Sequence, residues 1–451
     1  MNLARRLARL EAGPAFSARR EAARGPGLAI EVPPAATSRG GAFGVEGCGA
    51  DPDPPPEVRR ARLDELRRQL DALLEREPRR RSTTPLEPRC APLDALPFAC
   101  QATRSGSLWQ RIERLPNRHT VGRVGLAGLR AADPRILAQL ALDSRVADSD
   151  PASWLFLDTE TTGFAGAGTL AFLVGMAGLN PAGEWVVEQL LLGEPDQERP
   201  LLDRVAERVH ASSLIVSFNG KAFDRPLLEG RYLMNGLPPL PPKPHFDLLH
   251  VARRLHQSRL GRCNLKRIEA KVLGFDRGCD IDGSQVAELY GRFLHFGEAA
   301  GVAQVVSHNF FDVVSMLGLV SLYGQRCPEL AAEDLAGLAR TLRRAGAIRE
   351  AERAADAACE GGGGPGALRV RAELAKARGD ARGAIEDLEL LCGQVDDPEG
   401  RLELAKLYEH QLRHPARALE WLDRGTAESS DAVARRRRRL RRKLGLEPGS
   451  P

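Results

Sequence analysis

The chain reads as an α/β domain with a mixed sheet, followed by an all-α section of helical repeats. Three observations carry this. Apolar strand-like runs at 154–158, 170–179, 185–192 and 214–218 are interleaved with helical stretches in mid-chain. Beyond residue 330 the sequence turns helical and rich in Ala, Leu and Arg. There it also repeats: Gly346 and Gly379 are 33 residues apart, and Ala351, Ala384 and Ala418 follow at intervals of 33 and 34.

A length of 451 residues accommodates two or three domains. Net charge is +5, from 65 Lys and Arg against 60 Asp and Glu, so any charged surface must be local. None of the 8 cysteines forms a Cys-x-x-Cys pair, which removes support for zinc-ribbon and thioredoxin-like sites. The basic N-terminus, MNLARRLARL, lacks the apolar core of a signal peptide, and no run approaches the roughly 18 apolar residues of a membrane helix. The expectation is a cytoplasmic protein without a membrane partner.

In chain order, residues 1–90 read as a mostly disordered region, rich in Gly, Ala, Pro and Arg up to residue 56. Within it Leu63, Leu66, Leu70, Leu73 and Leu74 predict an amphipathic helix over 57–77. Residues 91–150 form a small β-rich lead-in, with alternating segments at 106–112 and 119–126 and a helix at 135–142. The α/β domain spans 151–328. Asn180-Pro181-Ala182-Gly183 supplies a turn between its second and third strands. Helices are expected over 199–211, from near Phe223, over 248–255, over 264–273, and from Val302 to Leu322. The repeats occupy 329–445 and end in a basic run at 435–443, in composition a solvated helix or a phosphate-binding tail.

The chemistry concentrates around Asp158-Thr159-Glu160. In a strand, side chains at i and i+2 share a face, so Asp158 and Glu160 stand side by side at the strand's end. Two carboxylates so close repel each other unless a proton or cation intervenes, and oxygen ligands suit Mg²⁺ or Mn²⁺. An acidic turn after a buried strand is the plainer alternative. Asp224 follows the fourth strand, a usual place for α/β site residues. His308 and Asp312 are i and i+4 on one helix face. Asp247, just before a helical run, reads as an N-cap.

Three motifs in order resemble those of the ribonuclease-H-like 3′–5′ exonuclease superfamily with its Asp-Glu-Asp-Asp (DEDD) quartet. Asp158-Thr159-Glu160 matches the first, Asn219 to Asp224 the second, and His308 to Asp312 the third. The run from Leu155 to Gly163 and Asn309 to Val313 are similar to the YprB-like group, over roughly 90–326. The resemblance implies a mixed five-stranded sheet flanked by helices. It also implies a nuclease hydrolysing phosphodiester bonds of DNA or RNA as a 3′–5′ exonuclease, with Asp158, Glu160, Asp224 and Asp312 holding two Mg²⁺ or Mn²⁺ ions. His308 then accepts the proton of the attacking water. Its spacing, His-x-x-x-Asp, departs from the family's Tyr-x-x-x-Asp and His-x-x-x-x-Asp, so a plain helix histidine stays open. Thr159, Thr161, Thr162 and Asn219 either contact the terminal nucleotide or shape the turns they occupy. The repeats resemble tetratricopeptide repeats, which implies a protein partner. Two other functions remain: a silent nucleic-acid-binding or scaffold protein, and a structure-specific endonuclease.

Overall fold

The apolar run before Asp158 becomes the centre of a sheet. The computed structural model describes residues 93–116, 118–163, 168–278, 280–326 and 328–446. The helix expected over 57–77 and the segment before it lie outside these residues. β1 (Ala99–Thr103) and β2 (Gly106–Leu115) form a hairpin, and β3 (Thr120–Val121) and β4 (Val124–Gly125) a separate small ribbon. Helix α1 (Pro134–Ala141) starts on an Asp133 cap with proline in its first turn. β5 (Trp154–Thr161), β6 (Ala171–Leu179) and β7 (Trp185–Leu191) make an antiparallel meander. After α2 (Glu198–Ala211), β8 (Leu214–Ser217) returns parallel to β5. After α3 (Asp224–Met234), the short β9 (His245–Asp247) lies parallel to β8 and leads into α4 (Leu248–Leu260).

The sheet has seven strands in the order β1-β2-β7-β6-β5-β8-β9. Strands β5 to β9 supply the five expected from the resemblance. The other two come from the lead-in ribbon, which joins the sheet instead of standing apart. Residues Trp109 to Leu115 of β2 pair with Leu191 to Trp185 of β7, satisfying backbone groups that a bare edge would leave open.

Alternation along β5 divides the core. Trp154 and Phe156 pack on one face with residues of α1, α4 and the later part of a long helix, α7 (Ala299–Tyr323). Leu155 and Leu157 pack on the other with residues of α2 and α3. The stretch expected as one helix over 264–273 splits into α5 (Leu265–Ile268) and a π-helical turn (Glu269–Leu273). Then come α6 (Val286–Phe296) and α7 (Ala299–Tyr323). Helix α7 is long and apolar enough to cross a membrane by length and composition, yet 83% of its apolar window is buried inside the protein. His308, Asn309 and Asp312 interrupt it, which hides the run from a search for uninterrupted apolar residues.

The rest is helical: α8 (Ala332–Arg344), α9 (Ile348–Glu360), α10 (Gly364–Ala377), α11 (Ala381–Gln394), α12 (Pro398–His410), α13 (Pro415–Asp423) and α14 (Ser430–Lys443). The sequence period is visible in the backbone. Gly346, Gly379 and Arg413 are all left-handed, with φ of +80°, +84° and +52°. Ala351, Ala384 and Ala418 are fully buried where helices meet. Within the basic run, Arg436, largely covered, converges with the more exposed Arg439 and Lys443 on Glu409 of α12, whose carboxylate is fully buried. Burial opposes ionisation of Glu409, but these cations hold its carboxyl down at about 2.

The core is continuous across residue 328. Gly337 lets α8 approach α4 closely, since a Cβ there would lie 2.4 Å from the Leu255 carbonyl oxygen. Arg259 donates from Nε to both oxygens of buried Asp334 at 3.0 Å, and His256 meets the Tyr323 hydroxyl at 2.7 Å. A chain ending at residue 328 loses Asp334, Leu338 and Leu342 from this junction. At about 1.5–3 kcal/mol per buried leucine, we expect a loss of roughly 4 kcal/mol or more. A chain ending at 396 keeps the junction and should fold. Thermal unfolding of both truncations decides; a 328-residue chain as stable as the full protein refutes the shared core.

Candidate metal centre

Strand β5 runs to Thr161, so both acids of the first motif lie within the strand rather than past its end. A register irregularity between Glu160 and Thr161 follows them. Asp158 and Glu160 share the face of Trp154 and Phe156, which α7 covers. Asp158 accepts from Asn309 Nδ2 of α7 at 2.9 Å. Asn309 is itself fixed by Gln189 of β7, whose Nε2 donates to Asn309 Oδ1 at 2.9 Å. Asn309 lies across Gly175 of β6, the strand partner of Asp158. A Cβ at Gly175 would fall 2.2 Å from Asn309 Oδ1, so glycine is required there.

The second motif leaves β8 through a tight loop. Asn219 is left-handed, with φ +73°, a conformation that asparagine tolerates. Asp247 caps α4 by accepting from Leu249 N at 3.0 Å. It also accepts from Asn219 N at 2.8 Å and Lys221 N at 3.1 Å, so the cap ties β9 to the motif loop. The loop delivers Asp224, which opens α3, buried and hydrogen-bonded by the Thr159 hydroxyl at 2.5 Å. On α7, His308 and Asp312 face Glu160, and ligand atoms of the three all lie within 4.8 Å of one another. His308 Nε2 is 3.6 Å from Asp312 Oδ2, and its Nδ1 is 2.7 Å from Asp280 Oδ1.

Electrostatics follow from this crowding. Burial, then Asp312, Asp224 and Glu160, push the Asp158 carboxyl well above its ordinary value, with Asn309 opposing. Burial, Asp312 and Asp224 do the same to Glu160. Burial raises Asp224 to about 6 against its hydrogen bonds. Arg277 pairs with Asp312 and with buried Glu269, donating from Nε to Glu269 Oε2 at 2.8 Å. Lys266 Nζ is 3.0 Å from Asp280. The six carboxylates Asp158, Glu160, Asp224, Glu269, Asp280 and Asp312 thus face two cations, Arg277 and Lys266. Fully ionised, they leave four negative charges unmatched.

The donor set fits divalent ions. Asp158, Glu160, Asp224 and Asp312 are all oxygen donors, and burial makes their charged forms costly without a cation. Thr159, Thr161, Glu160 and Asp224 line one cavity of about 580 Å³, with Phe223 and Leu227 on its wall. The Thr161 hydroxyl donates to Gly163 O at 2.6 Å and Thr162 Oγ1 accepts from Leu170 N at 2.9 Å, so both shape the loop. Asn219 lines a neighbouring cavity, beside Phe218 and Arg253. Sequence reasoning misses Arg277, Asp280, Glu269 and Gln189 as members of the centre. Only the crowding of Asp276, Arg277, Asp280 and Asp282 in one short loop hints at two of them.

Comparison with known proteins bears on the domain that holds these residues. Residues 155–323 match the family model of the RNase_H superfamily. The chain is 38% identical over 182 residues to "Uncharacterized protein YprB" of Bacillus subtilis (strain 168), covering 40% of this chain and 43% of that protein. The chain therefore spans less than half the length of that relative. A family B DNA polymerase from the hyperthermophilic archaeon Pyrobaculum calidifontis aligns over 50% of this chain and 29% of its own. The TM-score of that alignment is 0.31 and the identity 16%. Residues 155–323 form a ribonuclease-H-like domain, and over 182 residues the chain is similar to YprB.

Proposed function

We propose that this protein is a divalent-metal-dependent nuclease that hydrolyses phosphodiester bonds of DNA or RNA from the 3′ end. The observation that carries this is the convergence of Asp158, Glu160, Asp224 and Asp312, with four charges unmatched by local cations. Two divalent ions would balance that deficit. Held by these carboxylates, Mg²⁺ or Mn²⁺ supplies Lewis-acid stabilisation of the phosphoryl charge and activation of water.

The protein's own groups divide the remaining tasks. Asn309 and the Thr159 hydroxyl orient Asp158 and Asp224. Asp280 holds His308 through Nδ1, which places the ring proton there and leaves Nε2 as the basic nitrogen beside Asp312. His308 then takes the proton of the attacking water at Nε2. The cavity beside Glu160 and Asp224, with Phe223 and Leu227 on its wall, offers an apolar surface for a terminal base.

The reading is tested with the full chain, Mn²⁺, and oligonucleotides of DNA and RNA labelled at the 5′ end, single-stranded and duplex. Stepwise shortening supports it. Internal cuts at structured sites favour the endonuclease alternative, and intact substrates in every arm overturn nuclease function. His308→Ala should slow turnover by up to about 10²–10⁴-fold, the usual range for general-base catalysis, with Mn²⁺ binding retained. Wild-type turnover in that variant makes His308 structural.

A further inference from the structure

Helix α3 separates two unlike surfaces. Ala222, Phe223, Asp224 and Leu227 face the cavity that holds Glu160. Lys221, Arg225 and Glu229, spaced four apart, line a second cavity of about 640 Å³ on another side of the same turn. Arg145 and Lys243 complete its charged lining.

Of its four cations, two are compensated. Arg225 donates to Glu229 at 2.8 Å, and Arg145 pairs with Asp143. Lys243 contacts no carboxylate among the described residues. Its Nζ donates to the carbonyl oxygens of His210 at 3.0 Å and Ser212 at 2.5 Å, at the end of α2, which leaves one of three N–H donors for a ligand. Lys221 is exposed, and its side chain has no polar partner among the described residues. His245 also lines the cavity. Burial holds its imidazole down at about 4, so it adds no charge at neutral pH. A helix with side chains is about 10–12 Å across, so this positive cavity lies within about one helix diameter of Asp224.

We propose that the cavity formed by Lys221, Lys243, Arg145 and Arg225 binds backbone phosphate of a polynucleotide whose end lies at the acidic centre. This rests on the nuclease reading and deepens it. The favoured substrate is a strand long enough to reach over the start of α3, rather than a mononucleotide or dinucleotide. The opposite signs on the two sides of α3 give the strand a direction. Repulsion by unfilled carboxylates is offset by an anchor a short distance along the chain.

The test measures binding and cleavage separately on the full chain. Binding of fluorescein-labelled oligothymidylate and oligouridylate, from 4 to 20 nucleotides, is followed by anisotropy in EDTA over a range of NaCl. Lys221→Gln/Lys243→Gln should weaken binding of the longer oligomers about tenfold. It should also flatten the salt dependence by roughly 0.7 in log–log slope for each phosphate that the variant no longer neutralises. Lys221→Glu, at an exposed side chain without a polar partner, gives the same direction should the double variant misfold. Unchanged affinity and slope in folded variants, or no binding by the wild type, overturns the proposal. Cleavage with Mn²⁺ is read in parallel. Lysine-dependent binding without cleavage retains the cavity and rejects the nuclease; cleavage with lysine-independent binding does the reverse.

Discussion

Asp158→Asn should abolish metal-dependent cleavage while leaving a folded, more stable metal-free protein. Asp158 is the acid most surrounded by others, with burial, Asp312, Asp224 and Glu160 all disfavouring its charge. Lewis-acid stabilisation is worth several kcal/mol, and about 1.4 kcal/mol is tenfold in rate, so a loss of at least about 10²–10³-fold is expected. The stability gain has a defined pH dependence. Folded Asp158, Glu160 and Asp224 hold protons more tightly than the unfolded chain does. These three acids therefore remove stability from the metal-free wild type as pH rises from the ordinary carboxyl range near 4 through about 6, where Asp224 titrates, and beyond, against the opposite contribution of buried His245. Asp158→Asn should flatten that decline, and Mn²⁺ should reverse it in the wild type. Urea unfolding between pH 4 and 8, with EDTA or Mn²⁺, measures all three. A wild-type stability profile in EDTA that declines no more than that of Asp158→Asn between pH 5 and pH 8 contradicts the electrostatic account.

Arg277→Met should be the most destabilising substitution near the centre. The Arg277 side chain is 4% exposed and joins Glu269, 2% exposed, to Asp312. Breaking a buried pair from one side costs about 3–5 kcal/mol, because the remaining charge loses its partner without regaining water. Pairing Arg277→Met with Glu269→Gln should recover part of that loss. Arg277→Lys keeps a charge but not the two-pronged geometry that spans both carboxylates, so it should fall between. Cleavage should drop in Arg277→Met beyond any loss of folded protein, since Asp312 loses the group that orients it. Denaturation midpoints close to wild type in Arg277→Met would show that Glu269 is neutral or hydrated instead.

Local order in the sequence explains what can be read from it. Asp158 and Glu160 are two apart on one strand, and His308 and Asp312 one turn apart on one helix, so period alone places each pair. Asp224 and the Asp247 cap follow from element ends. The residues not legible are those that depend on contacts between distant segments. Arg277 meets Asp312 across 35 residues, and Gln189 fixes Asn309 across 120. β9 is three residues long, all buried, after a proline-rich stretch, too short to show a period. The lead-in ribbon is visible as strands, but nothing local says that β2 pairs with β7. The basic run at 435–443 looks uniform, and only the buried Glu409 shows that one side of it is structural.

Helix α7 also bears on how the protein is made. It is as apolar as a membrane segment, and exposed in water it would be a sticky intermediate. It leaves the ribosome about a hundred residues after β7 is complete, when β5, β6 and β7 already offer an apolar face. Synthesis order thus shelters the helix soon after it emerges. Asn309 and Asp312 reach the carboxylate cluster through the same docking that covers the sheet, so burying this helix and completing the site require the same contacts.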